Sequence, residues 1–105
     1  MALKYFDEYV GTAIDEINKF GNNQLSYVPS NKPNMGRAFK IIKQSSILKS
    51  DADHVFVVFD AVSDTVTCDF VCPSNPKANK NKTMNGSDFS ANPLIEFLDE
   101  VYSNE

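Results

Sequence analysis

Between residues 54 and 72 the chain is rich in strand-forming residues, and on either side of that stretch the hydrophobic period changes. HVFVVFDAV (54–62) and TVTCDFVC (65–72) are rich in Val, Phe and Thr and read as two strands. The first is apolar on both faces, which predicts a central strand. The second puts Val66, Cys68, Phe70 and Cys72 on one face and Thr65, Thr67 and Asp69 on the other. That pattern predicts one buried and one solvated side. Ser63-Asp64 between them suits a two-residue hairpin loop.

The flanks follow the helical period. Leu3, Phe6, Val10, Ala13, Ile17 and Phe20 recur every three or four residues, with Tyr9 and Ile14 widening the stripe. Gly21 is placed to end this helix, expected over about 3–20. Downstream, Asn92 and Pro93 suit an N-cap and a first helical position. Leu94, Phe97, Leu98 and Val101 then form the buried stripe of a helix over about 92–103. QLSYV (24–28) reads as a short edge strand ended by Pro29. RAFKIIKQS (37–45) is ambiguous, and it is assigned to a strand because helix start and stop signals are missing. Asn, Pro, Ser and Gly dominate 21–36 and 73–91, which read as long loops. The expected fold is α+β: an N-terminal helix, an antiparallel sheet of three or four strands and a C-terminal helix. Each helix has one apolar stripe, so both should cover the same sheet face.

A chain of 105 residues is expected to form one domain, 1–105. The apolar fraction of 42% is lean, but eight Phe and four Tyr offset it. MALKYFDEYVG places Lys4, Asp7 and Glu8 where a signal peptide requires an unbroken apolar run. No segment reaches the ~18 apolar residues of a membrane span. No membrane association is expected, and the expected compartment is the cytoplasm, where thiols stay reduced.

The chemical motifs are weak. Cys68 and Cys72 are spaced C-x-x-x-C within a strand, whereas redox pairs use C-x-x-C at a helix start. Four residues of strand separate them by about 13 Å, beyond the ~7 Å a disulfide spans. Two Cys and one His fall short of a structural zinc set. Both cysteines therefore read as reduced core residues. Asp51, Asp53 and His54 cluster before a strand, and Asp60, Asp64 and Asp69 lie on the hairpin. They lack the Gly and distal Glu of a calcium loop, and Asp is a common turn residue. SILK (46–49) matches S-x-x-K without that motif's companions. Gly11, Gly21, Gly36 and Gly86 are too scattered to cradle phosphate. The expectation is a non-enzymatic protein with no metal and no cofactor.

Charge is sorted along the chain. No acid lies between Ile17 and Ser50, a segment holding Lys19, Lys32, Arg37, Lys40, Lys43 and Lys49. Pro73–Ser87 adds Lys77, Lys80 and Lys82, again without an acid. The acids lie elsewhere and leave a net charge of −4. The reading preferred here is a small acidic protein-binding module, of the inhibitor or immunity type, for a basic toxin or nucleic-acid enzyme. Its partner-binding residues would be Asp15, Glu16, Glu96, Asp99 and Glu100 on the outer helix faces. The alternative is a nucleic-acid-binding accessory protein that uses the Lys-rich segments 32–49 and 77–82, with Tyr27 or Phe39 stacking on bases. A single Arg and a pI near 4.9 weigh against that alternative.

Overall fold

A computed structural model describes residues 2–20, 24–29, 37–46 and 52–102. Helix α1 spans Ala2–Phe20 and helix α2 spans Ala91–Tyr102. Between them run β1 (Leu25–Pro29), β2 (Arg37–Lys43), β3 (His54–Asp60), β4 (Thr65–Val71) and β5 (Lys80–Asn85). The strands form one antiparallel sheet in the order β1-β2-β3-β4-β5. The fold is α+β as expected, and β3 is the central strand.

Register decides which residues face the helices. Leu25, Phe39, Ile41, Val55, Val57, Phe59, Val66, Cys68 and Phe70 share one face, and all are buried in a single cluster. From α1 that cluster receives Phe6, Val10, Ala13, Ile14 and Ile17, and from α2 it receives Leu94, Phe97, Leu98, Val101 and Tyr102. Phe6 sits at its centre, with ring centroids 5.7, 5.9 and 5.5 Å from those of Phe39, Phe59 and Phe89. Both helices cover this one face.

The contacts also fix direction. Phe6, near the start of α1, lies by Phe39 and Phe59, whereas Asn18, near its end, clamps Leu25. The Asn18 amide donates to the Leu25 carbonyl at 2.9 Å, and its carbonyl accepts the Leu25 N–H at 2.7 Å. Phe89, just before α2, touches Phe6 and Tyr9, whereas Tyr102 at the end of α2 packs on Phe70 and lies under Lys43. Leu25 and Lys43 are register partners. The two helices therefore run parallel, and their C-terminal ends lie together at the Leu25–Lys43 end of the sheet.

Three expectations are corrected. The sheet has five strands rather than three or four. Residues 73–91 are largely ordered: Pro76–Ala78 form a 3-10 turn, Lys80–Asn85 form β5 and Gly86–Asp88 form a second 3-10 turn. Asn79 Oδ1 holds the Cys72 N–H at 2.7 Å across this segment. The hairpin loop has four residues, 61–64, not two. Asp60 Oδ1 accepts the Val62 N–H at 2.9 Å, and Asp64 takes a positive φ of 54°. A side-chain-bonded turn of this kind replaces the Gly that a two-residue loop favours. The rest of the loop expected over 21–36, outside β1 and Gln24, lies beyond the described residues.

Candidate functional site

Helical periodicity places the expected partner-binding residues. Burying Val10, Ala13, Ile14 and Ile17 turns Asp15 and Glu16 outward, and burying Leu94, Phe97, Leu98 and Val101 turns out Glu96, Asp99 and Glu100. All five are exposed, on two neighbouring helices of one layer. They are not equivalent. Glu100 accepts a hydrogen bond from Lys80 on β5. That bond, then the charges of Lys80 and Lys82, hold its carboxyl below its ordinary value. Among the described residues Asp15, Glu16, Glu96 and Asp99 have no such partner.

Their position matters as much as their exposure. The C-terminal end of a helix carries about half a negative charge, and an acid there is disfavoured by roughly 0.3–1 kcal/mol. Helix α2 has no acid in its first turn and no base in its last, yet it carries Asp99 and Glu100 near that end. The parallel arrangement brings the negative pole of α1, with Asp15 and Glu16 close by, to the same end. Lys19 in the last turn of α1 is the favourable charge there.

Among the described residues the cations do not form one patch. On β2, Arg37 and Lys43 share the helix-facing side while Lys40 is on the other. Arg37 forms a bidentate pair with Asp7 of α1, its Nε 2.8 Å from Oδ1. Lys43 Nζ lies 5.7 Å from the Tyr102 ring centroid. Lys80 and Lys82 sit on the edge strand β5, level with Phe70 and Cys68. Lysines on a sheet edge discourage pairing with another chain, so these two have a structural reason to be there. The aromatics that could stack on bases are engaged: Phe39 is buried and Tyr27 packs edge-on against it, centroids 5.7 Å apart. Lys32 and Lys49 lie outside the described residues.

A cavity of about 260 Å³ opens beside the end of α2, lined among others by Asp53, Cys72, Asn75, Lys80 and Glu100. Cys72 Sγ lies 3.7 Å from the Ser74 hydroxyl. The one imidazole, His54, is on the opposite sheet face, edge-on to Phe56 with Nδ1 3.0 Å from the Ala52 carbonyl. Cys68 is fully buried, and burial pushes its thiol up to about 12, against a smaller lowering by Lys82. Both cysteines are free thiols facing the core, as their spacing predicted. Among the described residues no group of three His, Cys, Asp or Glu could hold a metal ion. Asp51 and most of the SILK stretch lie outside those residues. No described helix is long and apolar enough to cross a membrane.

Comparison of the chain with known families, with curated proteins and with solved structures finds no match.

Proposed function

We propose that this chain is a non-enzymatic protein-binding module whose helix layer receives a basic partner. One observation carries the reading: Asp99 of α2, with Asp15 and Glu16 of α1, lies unpaired where two parallel helix C-termini already concentrate negative charge. Asp99, in the last turn of α2, opposes helix stability there, and a basic surface would turn that cost into attraction. Negative patches of this kind speed encounter with positive partners in a salt-dependent way. A toxin or nucleic-acid enzyme suits the role, because its own substrate site must be positive. The dispersal of the cations over two faces and an edge supports this reading over phosphate binding.

The test is affinity capture from source cells, then titration of the identified partner with variants. D15K/E16K and E96K/D99K are expected to weaken binding about tenfold or more and to flatten its salt dependence. K77E/K82E should change affinity by less than about threefold. The reading fails if the acid reversals leave affinity unchanged. It also fails if the purified chain binds DNA or RNA at physiological salt and K77E/K82E abolishes that binding.

A further inference from the structure

The cavity beside the end of α2 has fixed walls. Phe70 of β4, Cys72, Ala78 and Val101 of α2 make its apolar lining. Phe70, Cys72 and Val101 are buried, and Tyr102 braces the Phe70 ring edge-on, centroids 5.8 Å apart. The segment that contributes Cys72 and Ala78 is tied by its own hydrogen bonds. The Asn75 N–H donates to the Cys72 carbonyl at 3.1 Å, the Ala78 N–H donates to the Asn75 carbonyl at 2.8 Å, and the Asn79 side chain accepts the Cys72 N–H at 2.7 Å. At about 260 Å³ the space is smaller than the ~300–1,000 Å³ of sites for drug-sized ligands. It has room for one long side chain.

Charge selects what can enter. Among the described residues, the charged side chains lining the cavity are Asp53, Lys80 and Glu100. Lys80 and Glu100 pair with each other. The half-buried Asp53 carboxylate has neither an ion pair nor a hydrogen bond among the described residues. Lys43, one step along β2 beyond the Ile42–His54 pair, is level with Asp53, yet its Nζ lies over the Tyr102 ring. The lining charges therefore sum to one negative. Val101 is in the last turn of α2, and the C-terminal end of that helix adds about half a negative charge. Apolar walls with one unanswered carboxylate suit a cation carried on an apolar stem.

We infer that the cavity receives an arginine side chain of the protein partner, its methylenes against Phe70 and Val101 and its guanidinium at Asp53. The inference rests on the proposed function and deepens it, because a basic partner supplies such side chains. Arg is also enriched among the residues that carry binding energy at interfaces. A guanidinium suits the site better than an ammonium, since it is weakly hydrated and bonds a carboxylate through two N–H groups. Glu100 links the cavity to the outer face of α2, where Glu96 is its neighbour one turn back. The anchor and the acidic helix layer would thus engage one continuous partner surface.

The test has two arms. In the first, the purified chain is titrated with N-acetyl-arginine methylamide while its backbone amide shifts are followed by NMR. Saturable shifts are expected at Asp53, Ala78 and Val101, with a Kd on the order of 1 mM. The uncharged citrulline analogue should bind at least about tenfold more weakly. Asp53→Asn should weaken the probe about tenfold, and Ala78→Leu, which fills the apolar end, should abolish its binding. Asp69→Asn, on the opposite sheet face, should change nothing. If Ala78→Leu is unfolded by circular dichroism, Ala78→Val takes its place. In the second arm, D53N and A78L are each expected to weaken the captured partner about tenfold. No saturable shift in wild type overturns the inference, as does a citrulline analogue that binds equally well or a probe indifferent to D53N. So does a probe that needs Asp53 while the partner does not, which would assign the cavity to a free guanidinium compound. The two readings fail separately. If D15K/E16K and E96K/D99K weaken the partner and the cavity variants do not, the helix layer stands and the cavity falls. If only the cavity variants weaken it, the cavity stands and the helix layer falls.

Discussion

The two faces of the sheet are made from alternate residues of the same strands. On β3, Val55, Val57 and Phe59 are buried beneath the helices, while His54, Phe56 and Val58 of the other face are only half-buried. On β4 the contrast is chemical as well: Val66, Cys68 and Phe70 face in, and Thr65, Thr67 and Asp69 face out. An antiparallel sheet solvated on one side ordinarily shows the β4 pattern. The β3 pattern, apolar on both sides, is what a strand shows when both its faces have cover. The difference separates a face packed beneath two helices from one that is only partly shielded, where Ala38 and Ile42 of β2 are buried and the β3 and β4 residues are half-buried.

The contrast predicts very unequal costs. Phe6→Ala removes the ring that joins Phe39, Phe59 and Phe89, and the cavity left behind should cost about 3–5 kcal/mol. Val28→Thr, on the open face of an edge strand, should change stability by no more than about 0.5 kcal/mol. Urea unfolding of both variants checks the pair. A Val28→Thr cost comparable to that of Phe6→Ala would mean the open face is as tightly packed as the covered one.

Much of the covered face is legible in the sequence because periodicity reports burial. The stripes through Phe6–Ile17 and Leu94–Val101 locate both helices, the run of Val and Phe over 55–59 locates β3, and the alternation from Thr65 to Cys72 locates β4. Strand β5 is illegible for the same reason. KNKTMN is an edge strand exposed at every position except the half-buried Met84, so it has no buried side to print an alternation. The outward acids are found by subtracting the buried stripe from each helix. The Lys80–Glu100 pair cannot be found that way, because it depends on β5 lying beside α2. The parallel run of the helices is equally long-range. It follows from which end of the sheet Asn18 and Tyr102 reach.

Cys68 sharpens the comparison through its ionisation. It faces the core while Asp69, one residue on, faces out. With its thiol pushed up to about 12 from an ordinary 9.0, the folded state keeps a proton that the unfolded chain gives up. Stability is therefore intact below pH 9.0 and falls as pH rises from there towards about 12. The limiting slope is about 1.4 kcal/mol per pH unit. Denaturant unfolding at stepped alkaline pH should show this loss in wild type and a shallower one in Cys68→Ala. Native labelling by a thiol reagent should be slow at Cys68 and accelerate on unfolding. Equal slopes in the two proteins would show that Cys68 is not desolvated on the covered face.

The smallest effect is expected where the covered layer meets solvent. Lys80 and Glu100 join β5 to α2 at the rim, and both side chains are largely exposed, at 44% and 57%. Water screens such a pair, and holding two long side chains in one geometry offsets most of the attraction. The carboxyl of Glu100 is held below its ordinary 4.5, first by the Lys80 hydrogen bond and then by the charge of Lys80. A depressed acid stabilises the folded state above its unfolded value and loses that contribution as pH falls through the folded one. Thermal unfolding of Glu100→Gln should therefore match wild type at low pH and fall slightly below it at neutral pH. The gap should close further in molar salt, where the screening length shrinks to about 3 Å. Any large neutral-pH difference that survives high salt would place Glu100 in a desolvated contact, moving the boundary of the covered face out to the helix rim. A Glu100→Gln variant more stable than wild type at neutral pH would show instead that the unfavourable end of α2 outweighs its lysine partner.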